Sequence, residues 1–543
     1  LQDFPRSLPL INWFVLLVLL GGPRFLYRIF KDRRVEHVLE ASNPNRVPAL
    51  LVGAGDAAEL FIREQSRDKA AAYRLLGVID ETGGRVGREI HGVPVLARLE
   101  EIEDVVERQL KSKPQRLILT HDGIDGEKVR ALLTFADSHG MSLGRLPRLA
   151  ELRDGMNDPT AIRLVAVEDL LGRPRTVLDR EAMRALVKDR RVLVTGAGGT
   201  IGSELVRQIA DIGPETLVLF DSAEYLLYEI DMAITREYPT LEKRPYLGDV
   251  RDRQRIDEVI AREKPELVFH AAALKHVPMV ERNPNEGVLT NVVGPRNVAD
   301  ACRAADVRLM VHISTDKAVN PANIMGATKR LAEGYCQALD LSSQENESTR
   351  FVVVRFGNVL GSRGSVVPLF QSQLARGGPL TVTDPEMTRY FMTVHEAVEL
   401  VLQASALGLT EAESEGRIFV LDMGEPVKII DLARQIIRLA GLQPDKDVAI
   451  EIIGPRPGEK RHEVLLHEKE TPVPIACDGL TLAAPRTPDL ALMARTIDEL
   501  ERSAQSRDAT RTLSLLQRLV PEFDSEDALP MTTDPVPISS SRE

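Results

Sequence analysis

A strand-like run, Arg191-Val-Leu-Val-Thr195, breaks into Gly196-Ala-Gly198-Gly199-Thr200-Ile201-Gly202 and resumes as a helical pattern. This switch narrows the fold more than any other feature of the chain. Glycines spaced by three permit a tight turn and let backbone approach backbone, or backbone approach a ligand. The helix that follows presents free N–H groups and the positive end of its dipole to a pyrophosphate. Further apolar strands are expected at Thr216–Asp221, Glu266–His270, Leu309–Ser314 and Phe351–Phe356, each followed by a helical pattern. Alternation of that kind specifies a doubly wound parallel sheet. Asp221 closes the second strand, where a carboxylate can take both ribose hydroxyls and repel a 2'-phosphate. That favours NAD over NADP, with a plain strand-ending turn residue as the alternative reading. Leu247-Gly-Asp249-Val250 closes a further segment, where an acidic side chain can meet the adenine amino group.

A second opening of the same kind precedes it. Pro48-Ala-Leu-Leu-Val leads into Gly53-Ala-Gly55-Asp-Ala-Ala58, with buried strands expected at Tyr73–Asp80 and Gln115–Thr120. The fingerprint alone leaves two readings, a nucleotide site or a regulatory or spacer domain that kept the fold without the ligand. At 543 residues the chain exceeds one domain, and 43% apolar with 28% charged residues suits globular units with real cores. The expected division is a Rossmann-like domain at 47–170, a connector at 171–190 and a catalytic domain at 191–475. The last splits into a dinucleotide half, 191–360, and a substrate-binding lobe, about 361–475. A helical region at 476–520 and a disordered Ser/Asp/Pro-rich tail at 521–543 follow.

Residues 1–34 are expected to anchor the chain in a membrane. Leu8–Gly22 is strongly apolar and is followed by Arg24, Arg28, Lys31, Arg33 and Arg34. A secretory signal carries its charges before the apolar run, which excludes that reading. The run is short of the roughly 20 residues a bilayer needs unless Phe25–Phe30 are included, so a buried core helix is the competing reading. The basic flank would place the remaining domains on the cytoplasmic side of a bacterial-type inner membrane. Net charge is -12, which argues against nucleic acid as a partner. Cys302, Cys336 and Cys477 are widely spaced, as buried thiols in a reducing compartment would be, and no His/Cys group has metal-ligand spacing.

The strings TGAGGTIGSE (195–204), HAAALKHVPMVE (270–281), STDKAVNPANIMGATKR (314–330), RFGNVLGSRGSVVPLF (355–370) and PRPGEK (455–460) are far more specific than a lone glycine motif. With them the chain resembles the extended short-chain dehydrogenases that act on nucleotide sugars. Within these it is most similar to the membrane-anchored UDP-N-acetyl-hexosamine 4,6-dehydratases of polysaccharide biosynthesis. The resemblance covers nearly the whole chain. It implies two tandem Rossmann-like domains, a retained NAD (NADP being the alternative) and a UDP-amino sugar substrate. Dimers are common in that family, so a homo-oligomer is an expected arrangement. The family's Tyr-x-x-x-Lys is departed from: Lys329 is kept, but Met325 replaces the tyrosine, and a thioether cannot exchange protons.

The implied reaction moves hydride from sugar C4 to the cofactor, removes the C5 proton, expels the C6 hydroxyl and returns hydride to C6. Three proton-handling roles are required. These roles are expected of Thr315 at the C4 oxygen, Asp316 as acid at C6 and Lys317 as base at C5, with O4 as an alternative second task, while Lys329 holds the nicotinamide ribose. Met325 is read as shaping the pocket under the nicotinamide. A lysine base must be neutral, so Lys317 is expected to have a depressed pKa through burial or the nearby Lys329. Adjacent residues leaving a strand point to opposite faces, so Asp316 and Lys317 are expected not to pair.

Ala271, Ala272 and Ala273 would let the cofactor lie close to the backbone, and Asn291 would brace that segment. Lys275 and His276 would face sugar or phosphate. Asn358, Arg363, Arg389 and Arg456 are candidates for the UDP half, since arginine forks suit diphosphate oxygens. Val367 and Pro368, within Val366–Phe370, would form an apolar slot for uracil, and Glu459 would bind a ribose hydroxyl. The rivals are a nucleotide-sugar epimerase of the same fold, which needs no acid at C6, and a membrane-bound regulator with a dead site.

Overall fold

The structure is a computed structural model. It describes residues 46–523 except 68–70, 111, 121–123, 148–161, 165–177, 343–348, 412–413, 476 and 485–488, together with residues 13 and 15. The expected anchor over 1–34, apart from those two, and the expected tail from 524 onward lie outside the described residues. Among the described residues no helix is long and apolar enough to cross a membrane. The chain divides into two compact units, one of Leu1–Ile124 with Ala131–Val165 and one of Asp125–Arg130 with Ala166–Glu543.

The first unit holds β1 (Val47–Val52), α1 (Asp56–Arg67), β2 (Tyr73–Asp80), β3 (Glu89–Ile90), β4 (Val93–Arg98), β5 (Arg116–Leu119), β6 (Ser142–Arg145) and β7 (Arg163–Leu164). They form a seven-stranded sheet in the order β3-β4-β2-β1-β5-β6-β7, with β4 through β6 parallel. The expected strands β1, β2 and β5 are its centre. Helix α1 buries Ala58, Phe61 and Ile62, the single face that a helical repeat offers to a sheet.

The second unit is built on β8 (Arg191–Thr195), β9 (Thr216–Asp221), β10 (Lys243–Leu247), β11 (Leu267–His270), β12 (Leu309–Ile313), β13 (Arg350–Arg355), β14 (Ile418–Leu421), β15 (Pro472–Pro474) and β16 (Leu480–Ala483). The order is β10-β9-β8-β11-β12-β13-β14-β16-β15. Strands β10 to β14 are parallel, while β16 and β15 add an antiparallel edge that the sequence pattern had not suggested. Parallel strands are buried on both faces, and the residues divide with period two. Leu193, Val218, Phe220, Val268 and Met310 join the core on one side; Val192, Val194, Leu217, Leu219 and Phe269 join that on the other. Each fully buried side chain of this kind contributes about 1.5–3 kcal/mol relative to exposure.

Strand order reverses between β8 and β11, so their carboxyl ends flank a crevice where such sheets bind ligands. Helices α2 (Thr200–Ile212), α3 (Glu224–Glu237) and α4 (Val277–Arg282) lead away from that end, and α5 (Ile324–Ser342) is buried from Ile324 to Asp340. Helix α6 (Val394–Thr410) joins the β8-side core, whereas α7 (Leu490–Gln505) and α8 (Ala509–Leu519) join that of α5. Phe370, Leu380, Val382, Phe391, Leu432 and Ile436 form the core of a small lobe.

Arg355 on β13 is fully buried. It donates to both oxygens of Glu333 (3.0 and 2.8 Å) and of Glu470 (2.7 and 3.2 Å). Ser314 donates to the same Glu333 at 2.7 Å, so this ion network underpins the strand end that carries the chemistry.

Candidate active site

The glycine turn is sterically required. A Cβ at Gly202 would stand 1.9 Å from the Gly196 carbonyl oxygen, and one at Gly198 would stand 2.5 Å from the Leu226 Cβ. Gly196 has φ +68, and a Cβ there would meet the Ala272 backbone at 2.7 Å. Gly198 N–H donates to Asp221 Oδ2 and Ala223 N–H to Oδ1, both at 2.8 Å. Asp221 is buried and braces the turn through both oxygens. These two bonds take one lone pair on each oxygen and leave acceptor capacity for the ribose hydroxyls expected there. Asp249, expected to meet the adenine amino group, is paired with Arg251. It accepts from Arg251 N (3.0 Å) and Arg251 Nε (2.7 Å). Burial pushes this carboxyl up, but the Arg251 bonds outweigh it and hold its pKa below the usual value. Val250 is a core residue.

A cavity of about 600 Å³ opens at the carboxyl ends of the central strands. Of the residues chosen from sequence, it brings together Gly199, Thr200, Ile201, Gly202, Ala271, Ala273, Lys275, His276, Thr315, Lys317, Met325, Lys329, Asn358, Arg363, Arg389, Arg456 and Glu459. Gly196, Asp221, Asp249, Val250, Ala272, Asp316, Val367 and Pro368 are not in its wall. Val367 instead packs inside the small lobe. The uracil slot is thereby corrected: the turn of helix that carries it points Val367 inward, and Val366 and Leu369 line the cavity instead.

The 271–276 segment is held by Asn291, which is fully buried. Its Oδ1 accepts from Leu274 N (2.8 Å) and its Nδ2 donates to Leu274 O (2.9 Å), the bracing expected of it. Lys275 has a lowered pKa, through desolvation first and Arg363 second; His276 is lowered by desolvation and then by Lys275. Arg363 is exposed and lies 3.6 Å from Glu229. Arg389 is buried and donates to the carbonyls of Lys460 (2.8 Å) and Arg461 (3.1 Å), so it anchors the 455–463 segment from behind. Arg456 N–H donates to Glu459 at 3.2 Å.

The turn at Asp316–Ala318 departs from expectation. Asp316–Ala318 is a single tight helical turn rather than extended chain, so adjacent side chains converge. Lys317 Nζ lies 3.0 Å from Asp316 Oδ1, 2.9 Å from Asn358 Oδ1 and 3.8 Å from Glu463 Oε1. Burial pulls the Lys317 pKa down, but Asp316 and Glu463 outweigh it and hold it above the usual value. The expected depressed lysine is corrected, as is the expected separation of the pair. Asp316 is fully buried; Oδ1 also accepts from Thr315 Oγ1 at 2.9 Å, and Oδ2 has no hydrogen-bond partner.

Lys329 is the lysine that burial lowers, to about 8. It donates to Ile313 O at 2.5 Å and lies 3.3 Å from His312 Nε2. Met325 is 3% exposed and belongs to the core as well as to the cavity wall. Sequence reasoning missed Glu463, Lys460, Glu281 and the buried pair His270–His312, whose rings stack 5.5 Å apart. Burial drives His270 down to about 3. Burial likewise raises Glu281 to about 7, although its Oε1 accepts from Ile324 N–H (2.7 Å) at the start of α5. The available signal for Glu463 was its place three residues beyond Lys460, at the end of a motif already singled out.

The family described as "Polysaccharide biosynthesis protein" matches residues 192–483. The chain is 40% identical over 462 residues to the capsular polysaccharide biosynthesis protein CapD of Staphylococcus aureus, spanning 85% of this chain and 74% of that protein. It is 36% identical over 284 residues, 52% of this chain and 79% of its counterpart, to a Campylobacter jejuni protein named UDP-N-acetylglucosamine 4,6-dehydratase (inverting). A Rickettsia canadensis protein named UDP-glucose 4-epimerase is 37% identical over 288 residues, 52% of this chain and 79% of that one.

Proposed function

The chain belongs to the polysaccharide biosynthesis protein family, and from that footing we propose that it is an NAD-dependent 4,6-dehydratase of UDP-N-acetylglucosamine. The observation that carries the reading is the Thr315-Asp316-Lys317 turn, whose hydroxyl (2.9 Å) and amine (3.0 Å) both reach the same carboxylate oxygen, Asp316 Oδ1. A dinucleotide suits the cradle because Gly199, Thr200, Ile201 and Gly202 line the cavity and the N-terminal end of α2 supplies free N–H groups. Bound there, it would take hydride from sugar C4 and give it back at C6, leaving none consumed.

The side chains must then move every proton. The competent form has Lys317 as a neutral amine and Asp316 as a carboxylate. The O4 proton passes through the Thr315 hydroxyl, 2.9 Å from Asp316 Oδ1, to the carboxylate. Asp316 hands it to the C6 oxygen, which leaves as water. Lys317 takes the C5 proton and, once its ammonium has exchanged with solvent, gives a proton back to C5 after reduction at C6. Protons lost and gained balance over the cycle, and Met325 takes no part in them. The apolar run 8–22 and its basic flank support a station at the cytoplasmic face of a bacterial-type inner membrane.

The test is turnover of UDP-N-acetylglucosamine by the full chain with NAD+ in deuterated water, followed by NMR. A 4-keto-6-deoxy product labelled at C5 is expected. Recovery of the C4 epimer with no keto species would make the chain an epimerase, for which Asp316 has no task. Lys317→Ala should abolish turnover and Met325→Leu should only slow it; an active Lys317→Ala enzyme removes the base assignment.

A further inference from the structure

We propose that Glu463 is a positioning residue of this reaction: it reaches from the 455–463 segment to the Lys317 ammonium and governs when Lys317 can act as a base. The inference rests on the dehydratase reading above. Glu463 is almost fully buried, 3% exposed at its side chain, yet belongs to the cavity wall. Its Oε1 stands 3.8 Å from Lys317 Nζ and its Oε2 3.6 Å from Lys460 Nζ. Neither is a full hydrogen bond, and Oε2 is buried without any hydrogen-bond partner. A structural ion pair would be expected to satisfy that oxygen. A buried carboxylate that stands beside two ammonium groups without a full hydrogen bond to either acts on them chiefly through its charge.

The segment is fixed, so the charge is fixed too. Asn323 Nδ2 donates to Gly458 O (2.9 Å), Lys460 Nζ to Val319 O (2.6 Å) and Arg389 to the Lys460 and Arg461 carbonyls. These bonds lock the segment to the turn that bears Lys317. The same segment carries Arg456 and Glu459 in the cavity wall. Anything that displaces it therefore also alters the field at Lys317.

The charged groups facing Lys317 are Asp316 and Glu463, which favour its ammonium form, and Arg389, which opposes it. Lys460 completes the cluster through Glu463 and is itself coupled to Lys317. The reaction needs the amine, so the acid limb of the kcat–pH profile reports loss of the Lys317 proton. Glu463→Gln removes one carboxylate and should move that limb to lower pH by about one unit. Lys460→Met removes a cation and should move it to higher pH. A structural role alone would lower stability or kcat without displacing the limb.

The experiment measures 4-keto-6-deoxy product from UDP-N-acetylglucosamine and NAD+ between pH 7 and 12 for the full-length wild type and both variants. Limbs displaced in opposite directions support the proposal. A Glu463→Gln limb that superimposes on the wild type, with or without a fall in kcat, overturns it. If Glu463→Gln does not fold, Lys460→Met decides: an upward displacement supports it and an unmoved limb overturns it. Absence of product from the wild type defeats the dehydratase reading instead, and is seen before any variant is made.

Discussion

In the second unit a Cβ at Gly202 would collide with the Gly196 carbonyl at 1.9 Å, whereas in the first unit a Cβ at Gly55 would meet nothing within 4 Å. Both turns follow the first strand of a parallel sheet and precede a helix. Their surroundings differ in the same sense. Asp221 reaches back to the glycine turn itself through Gly198 N–H. Asp80, its counterpart at the end of β2, accepts from Thr82 N and Oγ1 (both 3.1 Å) and Arg85 N (2.8 Å), all in its own loop. Arg85 then donates to Ala54 O at 2.6 Å and closes the first turn with a side chain. One topology thus supports two kinds of glycine turn: one that packing demands at Gly202 and that borders a cavity, and one with room at Gly55, where only Gly53 is held to glycine by its φ of +103.

The sharpest way to break this comparison is paired substitution. Gly202→Ala should cost about 1–3 kcal/mol of overpacking and lower NAD+ affinity on the order of tenfold or more, read by calorimetric titration. Gly55→Ala should change stability by no more than about 0.5 kcal/mol. Equal costs at the two positions would remove the distinction.

Asn291→Ala comes next. It leaves both Leu274 backbone groups without their partner, at about 1–3 kcal/mol. Because that segment lines the cavity, KM should rise more than kcat falls; an unchanged KM would mean the brace is dispensable.

Asp80 offers a pH test confined to the first unit. Burial pushes its carboxyl up, but the Arg85 and Thr82 bonds win and hold its pKa below the ordinary value. A depressed carboxylate contributes stability that is present above its unfolded pKa, about 4, and is lost as pH falls through the folded value. Asp80→Asn should therefore lower the melting temperature at pH 7 and leave it little changed at pH 2. A difference that persists undiminished at pH 2 would show that packing, not charge, is at work.

Much of this was legible in sequence because it is local. The strand–glycine–helix switches, the apolar strands and the Asn291 brace follow from residue type and period. The errors came from reach and from distance along the chain. Asp316 and Lys317 pair because three residues tighten into a helical turn, which alternation along a strand does not foresee. Asp221 reaches back to Gly198, 23 residues before it, a brace that no spacing rule announces. Glu463 meets Lys317 only after the 145 residues of intervening chain fold, and no period or spacing encodes that meeting. The antiparallel edge β16–β15 was hidden for the same reason, since short terminal strands carry little pattern of their own.

The smallest expected effect returns to the helices behind the two turns. Each carries a glutamate paired with a histidine: Glu59 of α1 with His91 at 3.1 Å, and Glu204 of α2 with His395 at 2.9 Å. His395 also stands 3.5 Å from Glu399. The Glu204 bond, then that of Glu399, lifts its pKa to about 10 against the pull of burial. A raised histidine contributes stability that is fully present below its unfolded value near 6.5 and is lost as pH rises through the folded value. The side chain is 63% exposed, so solvent screens the pair and the contribution should stay below about 1 kcal/mol. His395→Gln should lower the melting temperature slightly at pH 6 and not at pH 10.5. His91→Gln, with one carboxylate instead of two, should show less at either pH. A His91 effect equal to that of His395 would mean that the second carboxylate adds nothing, and that the two helices are tied down alike although their turns are not.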